Sequence, residues 1–302
     1  MNYFYLAHSV MSLDCLKDLV SKNYSPALVI IHKSRDRKKL SESFYSPMIE
    51  FCRSKNIELI ETEDINNLKK RIENFKTGIC VGFMDILNKD FFEIPENGIL
   101  NLHSGKLPEY RGRAPISRSI MNGEKYVTVS VHKIDEGVDS GDICKELKIE
   151  IAEEDDVNTI YKKCSESASV ILVDCLNELK GGKLEFHKQE SDERANKIIN
   201  NEERKINWEN NAVINYNKIR ALTAPYPCAY SIFKGSEYLF LKAKTSDEFN
   251  DENLQSGTVV KVSDNEIVIK SGNGFLRIFK VTDENLNEVN FKELFNEGDI
   301  FE

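Results

Sequence analysis

Residues 98–115 read GILNLHSGKLPEYRGRAP, a short apolar run that passes without a break into the densest polar stretch of the chain. Extended backbone places Asn101 and His103 on one face and Leu102 on the other. The run is the last of a series. Tyr3 to Ala7, Ala27 to His32, Ile57 to Glu61 and Gly78 to Phe83 are β-rich, and helical patterns near Leu13 to Val20, Met48 to Ser54 and Ile65 to Phe75 separate them. Strands alternating with helices are the grammar of a parallel sheet, and such sheets bind ligands at the carboxyl ends of their strands, where Asn101 and His103 lie.

Downstream, Val127 to Lys133 leads into a loop, Ile134 to Asp142, with four carboxylates and two glycines. From Asp156 to Lys180 apolar residues recur at helical spacing, closed by Gly181-Gly182. After a polar stretch, Gln189 to Lys205, the pattern changes to short β runs: Ala229 to Phe233, Tyr238 to Lys242, Gly257 to Val262, Glu266 to Ile269 and Phe275 to Lys280. The expectation is an α/β fold, a Rossmann-like and mostly parallel sheet in residues 1–204, with a smaller C-terminal β-barrel (OB-like) domain in residues 205–302.

The chain's 302 residues suit two such domains, and 40% apolar with 30% charged residues excludes a collagenous or disordered chain. A net charge of −9 opposes long-range attraction to phosphate backbones or anionic membranes. No run approaches the ~18–20 apolar residues of a membrane span, and the start lacks a basic segment and a long apolar core, so the expected location is the cytoplasm and no membrane partner is expected. The seven cysteines are scattered, with no CxxC pair and no histidine at ligand spacing. This reads as reduced, buried thiols and no metal site.

No GxGxxG, Walker loop or GxSxG elbow is present. An amide, an imidazole and a loop carboxylate are instead the parts for acyl transfer without a covalent enzyme intermediate. Asn101 would donate to a developing oxyanion, His103 would donate or shuttle a proton, and an Asp would orient the imidazole. The bland alternative is a satisfied polar histidine beside a solvated Asp-Gly turn.

The run NLHSGKLPEYRGRAP followed by VSVHKIDEGVDSGDI resembles the folate-dependent formyltransferase family, whose pattern is Asn-x-His, then Leu-Pro-x-Tyr/Trp-Arg-Gly-x-x-Pro, then Asp-x-Gly-x-Asp-x-Gly. The likeness extends through CVGFMDILNKDFFEIPENG upstream and KINWENNAVINYNKIRALTAPYPCAY downstream, with Cys228 where the family often carries Gly. The resemblance implies a catalytic triad at Asn101, His103 and Asp139. It implies 10-formyltetrahydrofolate as donor, its pteridine near Phe83, Met84, Asp85, Ile86 and Leu87 and the loop that begins Asp135 and Gly137, and a homodimer by analogy.

For the acceptor, two family branches fit the length: methionyl-tRNA formyltransferases and formyltransferases of nucleotide-linked amino sugars. From Lys244 to Glu302 there are six basic and thirteen acidic residues, a poor platform for tRNA phosphates. Lys33, Arg35, Arg37, Lys38 and Lys39 form a contrary basic run. Phe44-Tyr45-Ser46-Pro47 and YRGRAPISRSIMNGE look more like the sugar enzymes. The expectation is therefore a nucleotide-linked amino sugar, with Tyr45, Tyr110 and Arg111 as acceptor contacts or else as packing and pairing residues; tRNA is the alternative. Hydrolysis of the donor by water, and a non-catalytic binding protein, are the further alternatives.

Overall fold

The computed structural model describes residues 2–33, 41–83, 85–190, 195–249 and 253–302. The chain forms two compact units: residues 1–115, 126–150 and 160–196 make one, and residues 116–125, 151–159 and 197–302 the other.

The first unit is built on a seven-stranded sheet. Its strands are β1 (Tyr3–Ala7), β2 (Leu28–His32), β3 (Glu58–Thr62), β4 (Thr77–Val81), β5 (Ile99–His103), β6 (Tyr126–Lys133) and β7 (Ile143–Glu150), in the spatial order β3-β2-β1-β4-β5-β6-β7. The first five pair parallel, and β6 and β7 are antiparallel additions at one edge. Parallel strands are covered on both faces, which explains why β1 and β4 are buried at every position and read as unbroken apolar runs. Helix α1 (Val10–Ser21) starts from Ser9 through a reciprocal capping box with Ser12. Helix α2 (Ser46–Ser54) follows β2 with Pro47 in its first turn.

On one face the core gathers Phe4, Leu6, Leu28, Ile30, Cys80, Phe91, Phe92 and Ile99. The ring of Phe4 meets Phe75 and Phe91 edge-on, at 5.6 and 6.4 Å. The pattern expected to be one helix over Ile65 to Phe75 is a 3₁₀ turn, Ile65–Leu68, followed by a short α turn, Lys69–Ile72. All seven cysteines are free, and burial pushes the thiols of Cys15, Cys52, Cys80 and Cys164 up to about 12.

Two helices absent from the sequence reading, α3 (Pro115–Met121) and α5 (Ala212–Ala221), flank the long α4 (Val157–Lys180) in chain order. In the second unit α5 packs on a five-stranded antiparallel sheet of order β10-β11-β12-β9-β8. The strands are β8 (Ala229–Phe233), β9 (Ser236–Ser246), β10 (Val259–Val262), β11 (Ile267–Lys270) and β12 (Phe275–Thr282). Trp208 lies against Phe240 and Phe301, and its indole N–H donates to Ser231 Oγ at 2.9 Å. Among the described residues no helix is long and apolar enough to cross a membrane, and no group of three or more His, Cys, Asp or Glu is placed to hold a metal ion.

Candidate active site

Strand β5 carries Ile99, Asn101 and His103 on one face, and its parallel neighbour β4 sets Cys80 beside Asn101. The antiparallel neighbour β6 sets His132 directly opposite Asn101 and Ser130 opposite His103. The β6–β7 connection then brings Asp139 back to this same end of the sheet. It meets both histidines and the amide: His103 Nδ1 at 3.4 Å from Oδ2, His132 Nε2 at 3.4 Å from Oδ1, and Asn101 Nδ2 donating to Oδ1 at 3.3 Å. The structure thus gathers Asn101, His103 and Asp139, and adds His132, which sequence reasoning missed. Only its register opposite Asn101 marks it out; in the sequence it is one more residue of an alternating strand.

The hydrogen atoms follow from the partners. Tyr110 offers only a carbonyl oxygen, so the His103 Nε2–H donates to it, at 2.7 Å. By the same reasoning the His132 Nδ1–H donates to the carbonyl of Lys133 at 2.9 Å, leaving Nε2 to accept from Asn101 Nδ2 at 3.0 Å. Both N–H bonds of Asn101 are thereby directed into the cluster, and among the described residues nothing occupies its carbonyl oxygen.

Burial lowers the pKa of the His103 imidazole, and Asp139 offsets part of that. Burial alone would raise Asp139. In acid solution, where the imidazoles are protonated, a hydrogen bond from His132, the charges of His103 and His132, and the Gly112 N–H donating to Oδ2 at 2.9 Å together hold it well below the usual carboxylate range. At neutral pH the arrangement is an ionised Asp139 beside a His103 whose Nδ1 carries a lone pair.

Gly112 supplies that N–H from a left-handed conformation, φ 89°, and a Cβ on it would lie 2.4 Å from the carbonyl oxygen of Asn196. Replacing it by alanine therefore forces both an unfavourable φ and a displaced neighbour. The expected cost is about 1–2 kcal/mol from the backbone alone. Urea unfolding measures it, and an unchanged midpoint would count against the close fit.

The two loops expected at the donor are residues 83–87 and 135–139, and Asp139 ends the second. Lys89, just past the first, pairs with Glu136 of the second at 2.7 Å. In the second loop Asp135 Oδ1 accepts from the Gly137 N–H and the Ser140 hydroxyl, closing a tight turn. Ile86 is 80% exposed and Val138 55%, apolar side chains that suit a flat heteroaromatic ring, while Phe83 and Leu87 turn into the core and Asp85 faces His32 at 3.4 Å. Met84, Arg35, Arg37, Lys38 and Lys39 lie outside the described residues.

The three expected acceptor contacts are engaged within the fold. Tyr45 is fully buried and donates its hydroxyl to the carbonyl of His32 at 2.7 Å, and Phe44 packs against it. The Tyr110 side chain is buried while its carbonyl holds His103. Arg111 is buried with Nε on Gln189 Oε1 at 2.9 Å.

The family described as "Formyl transferase" matches residues 14–176, and "Formyl transferase, C-terminal domain" matches residues 198–298. A methionyl-tRNA formyltransferase of Caldanaerobacter subterraneus subsp. tengcongensis is 29% identical over 97% of this chain and 96% of its own length. Those of Thermodesulfovibrio yellowstonii and Sulfurihydrogenibium sp. are 30% and 31% identical, over 93% and 86% of this chain and 91% and 85% of their own. Among solved structures, WlaRD, a sugar 3N-formyl transferase crystallised with dTDP and 5-N-formyl-THF, aligns with a TM-score of 0.70 at 20% identity, covering 96% of this chain and 99% of that one. An N-formyltransferase of Helicobacter canadensis aligns with a TM-score of 0.70 at 17%, over 92% and 99%. Those two likenesses speak for the fold alone.

These findings overturn the amino-sugar expectation. The end-to-end sequence relatives are methionyl-tRNA formyltransferases, and the Phe44-Tyr45 segment that pointed to sugar is core packing, which carries no substrate information. With both family regions matched in order and a residue cluster suited to acyl transfer at the strand ends, the chain belongs to the formyl transferase family and is a folate-dependent formyl-transferring enzyme whose donor is 10-formyltetrahydrofolate.

Proposed function

We propose that this enzyme formylates the α-amino group of methionyl-tRNA, with Asn101, His103 and Asp139 as the reacting groups of residues 1–204 and the β domain of residues 205–302 as an accessory. The observation that carries the acceptor is the likeness to methionyl-tRNA formyltransferases along 97% of the chain. The donor supplies a formyl carbon open to attack by an amine.

The residue roles rest on the site's geometry. The amine nitrogen bonds to the formyl carbon and the bond from that carbon to the departing folate nitrogen breaks; His103 Nδ1 takes the proton released from the amine and delivers it to that leaving nitrogen. The imidazolium so formed has an acceptor at each nitrogen, the Tyr110 carbonyl at Nε2 and Asp139 at Nδ1. Asn101 keeps its shorter bond to His132 and redirects the longer one, now on Asp139, to the formyl oxygen as negative charge develops there. Exposed Ile86 and Val138 flank the donor ring, with Phe83, Met84, Asp85, Leu87, Asp135 and Gly137 completing the two loops. Transfer of labelled formyl to charged initiator tRNA, with uncharged tRNA and free methionine inert, is the expected result. A tRNA that remains unformylated under conditions where the donor is consumed sinks the proposal.

The tRNA reading also sets a salt dependence. Within residues 244–302 every basic side chain is already engaged: Lys244 with Glu154, Lys261 and Arg277 with Glu266, Lys280 with Glu288, Lys292 with Asp264, and buried Lys270 on the carbonyls of Ser271 and Gly272. Few phosphates are held there, so the apparent KM for tRNA should rise only about tenfold between 50 and 200 mM salt, the change expected for about two phosphate contacts. A rise near a thousandfold would mean that this segment releases its ion pairs to bind the acceptor or that the basic run Lys33 to Lys39 holds its phosphates.

A further inference from the structure

We propose that Gln189, itself held by Arg111, is a positioning residue that fixes Asp139 in its working place; this rests on the reading of Asp139 and His103 as reacting groups. Asp139 has φ 51°, in the left-handed region, which aspartate enters more readily than most residues with a side chain but which still needs holding in place. The Gln189 side chain supplies that hold. Its amide nitrogen donates to the carbonyl of Asp139 at 3.0 Å and to the carbonyl of Gly141 at 2.7 Å, on either side of Ser140. Its amide oxygen accepts from the Nε–H of buried Arg111 at 2.9 Å.

Backbone pairing explains how a residue fifty positions away arrives there. His187 bridges antiparallel to Ile143, exchanging both backbone hydrogen bonds at 2.8 Å. Two residues on, Gln189 therefore stands opposite Gly141, while its neighbours Lys188 and Glu190 face solvent. Gly141 admits no side chain, since a Cβ would lie 1.9 Å from the carbonyl oxygen of Lys133. Arg111 precedes Gly112, whose N–H reaches the Asp139 carboxylate, so both ends of the brace converge on one residue.

The chemistry requires a glutamine. Two donors must meet two carbonyls and one acceptor must meet a guanidinium. Glutamate keeps the length and the acceptor but has no donors, and methionine keeps only the volume. With either, Asp139 loses its backbone restraints without any change to the groups that face His103, namely Asp139, His132, Asn101 and the Tyr110 carbonyl.

The test uses the full-length protein with Gln189→Met, Gln189→Glu and, as reference, Asp139→Asn. Formyl transfer to charged tRNA is followed together with the imidazole titrations of the five histidines by NMR without substrates. The expected result for both Gln189 variants is a kcat lower by about 100-fold, the penalty of a reacting group misplaced by an ångström, with KM values unchanged. In Gln189→Met, which adds no charge, His103 should titrate at lower pH than in the parent, because the carboxylate that favours its charged form is less well placed. A wild-type kcat, a loss confined to KM, or an unmoved His103 titration in Gln189→Met overturns the inference. Full activity in Asp139→Asn would instead overturn the site reading beneath it. Should Gln189→Met fail to fold, the kcat and KM of Gln189→Glu decide the question, since it retains the Arg111 contact.

Discussion

Asp139→Asn should lower kcat by about 10³- to 10⁴-fold while leaving the protein folded. The substitution is nearly isosteric, and asparagine tolerates the left-handed backbone of this position, φ 51°. Its oxygen can still accept the Gly112 N–H that now meets Oδ2 at 2.9 Å. What disappears is the charge. Once His103 takes a proton, no anion faces Nδ1, and the new amide also sets N–H groups against the N–H groups of Asn101. Removing a buried charge relieves desolvation as well as losing attraction, so the melting temperature should move little. Single-turnover transfer to charged tRNA measures the rate, and a kcat within tenfold of the parent would remove Asp139 from the mechanism.

The second large effect concerns His103. His103→Ala should cost about 10²- to 10⁴-fold in kcat, and it should also erase the more acid of the two falls in the pH profile. In the parent enzyme the base works only when Nδ1 is unprotonated, so kcat/KM falls as pH drops through the His103 pKa. Burial lowers that pKa despite Asp139, which displaces the limb to the acid side of the ordinary imidazole value of about 6.5. The attacking α-amino group, ordinarily near about 7.7–8.0, titrates first, so the His103 limb is a second and steeper fall of kcat/KM in more acid solution. A profile of His103→Ala that keeps this second fall would assign that titration to another group.

Much of the fold could be read from the sequence, for a definite reason. Strands β1, β2, β4 and β5 are buried on both faces, so their apolar runs stand out without knowledge of neighbours. Strand β7 was not read because it is an edge strand, ICKELKIE, whose largely exposed charged residues mimic a loop. Helix α3 was hidden by its brevity, and α5 by having Asn215 and Asn217 on its buried side where apolar residues would have signalled a helix.

The triad residues were legible because they sit in a contiguous motif. His132 and Gln189 were not, since each reaches the site through pairing across the sheet edge rather than through spacing along the chain. The acceptor was misread for an electrostatic reason. A regional excess of carboxylates describes the average field and does not say which few groups meet a substrate.

The antiparallel register between β5 and β6 has an evolutionary consequence. Asn101 meets His132 because their strands are in register, whatever the length of the segment between them, and a slip of one residue would turn His132 to the opposite face. Selection can therefore vary residues 113–125 without shifting Asn101 against His132, whereas Tyr110, Arg111 and Gly112 are tied by their bonds to His103, Gln189 and Asp139. A lineage that holds this ladder fixed keeps Asn101 and His132 together while the loops around them change.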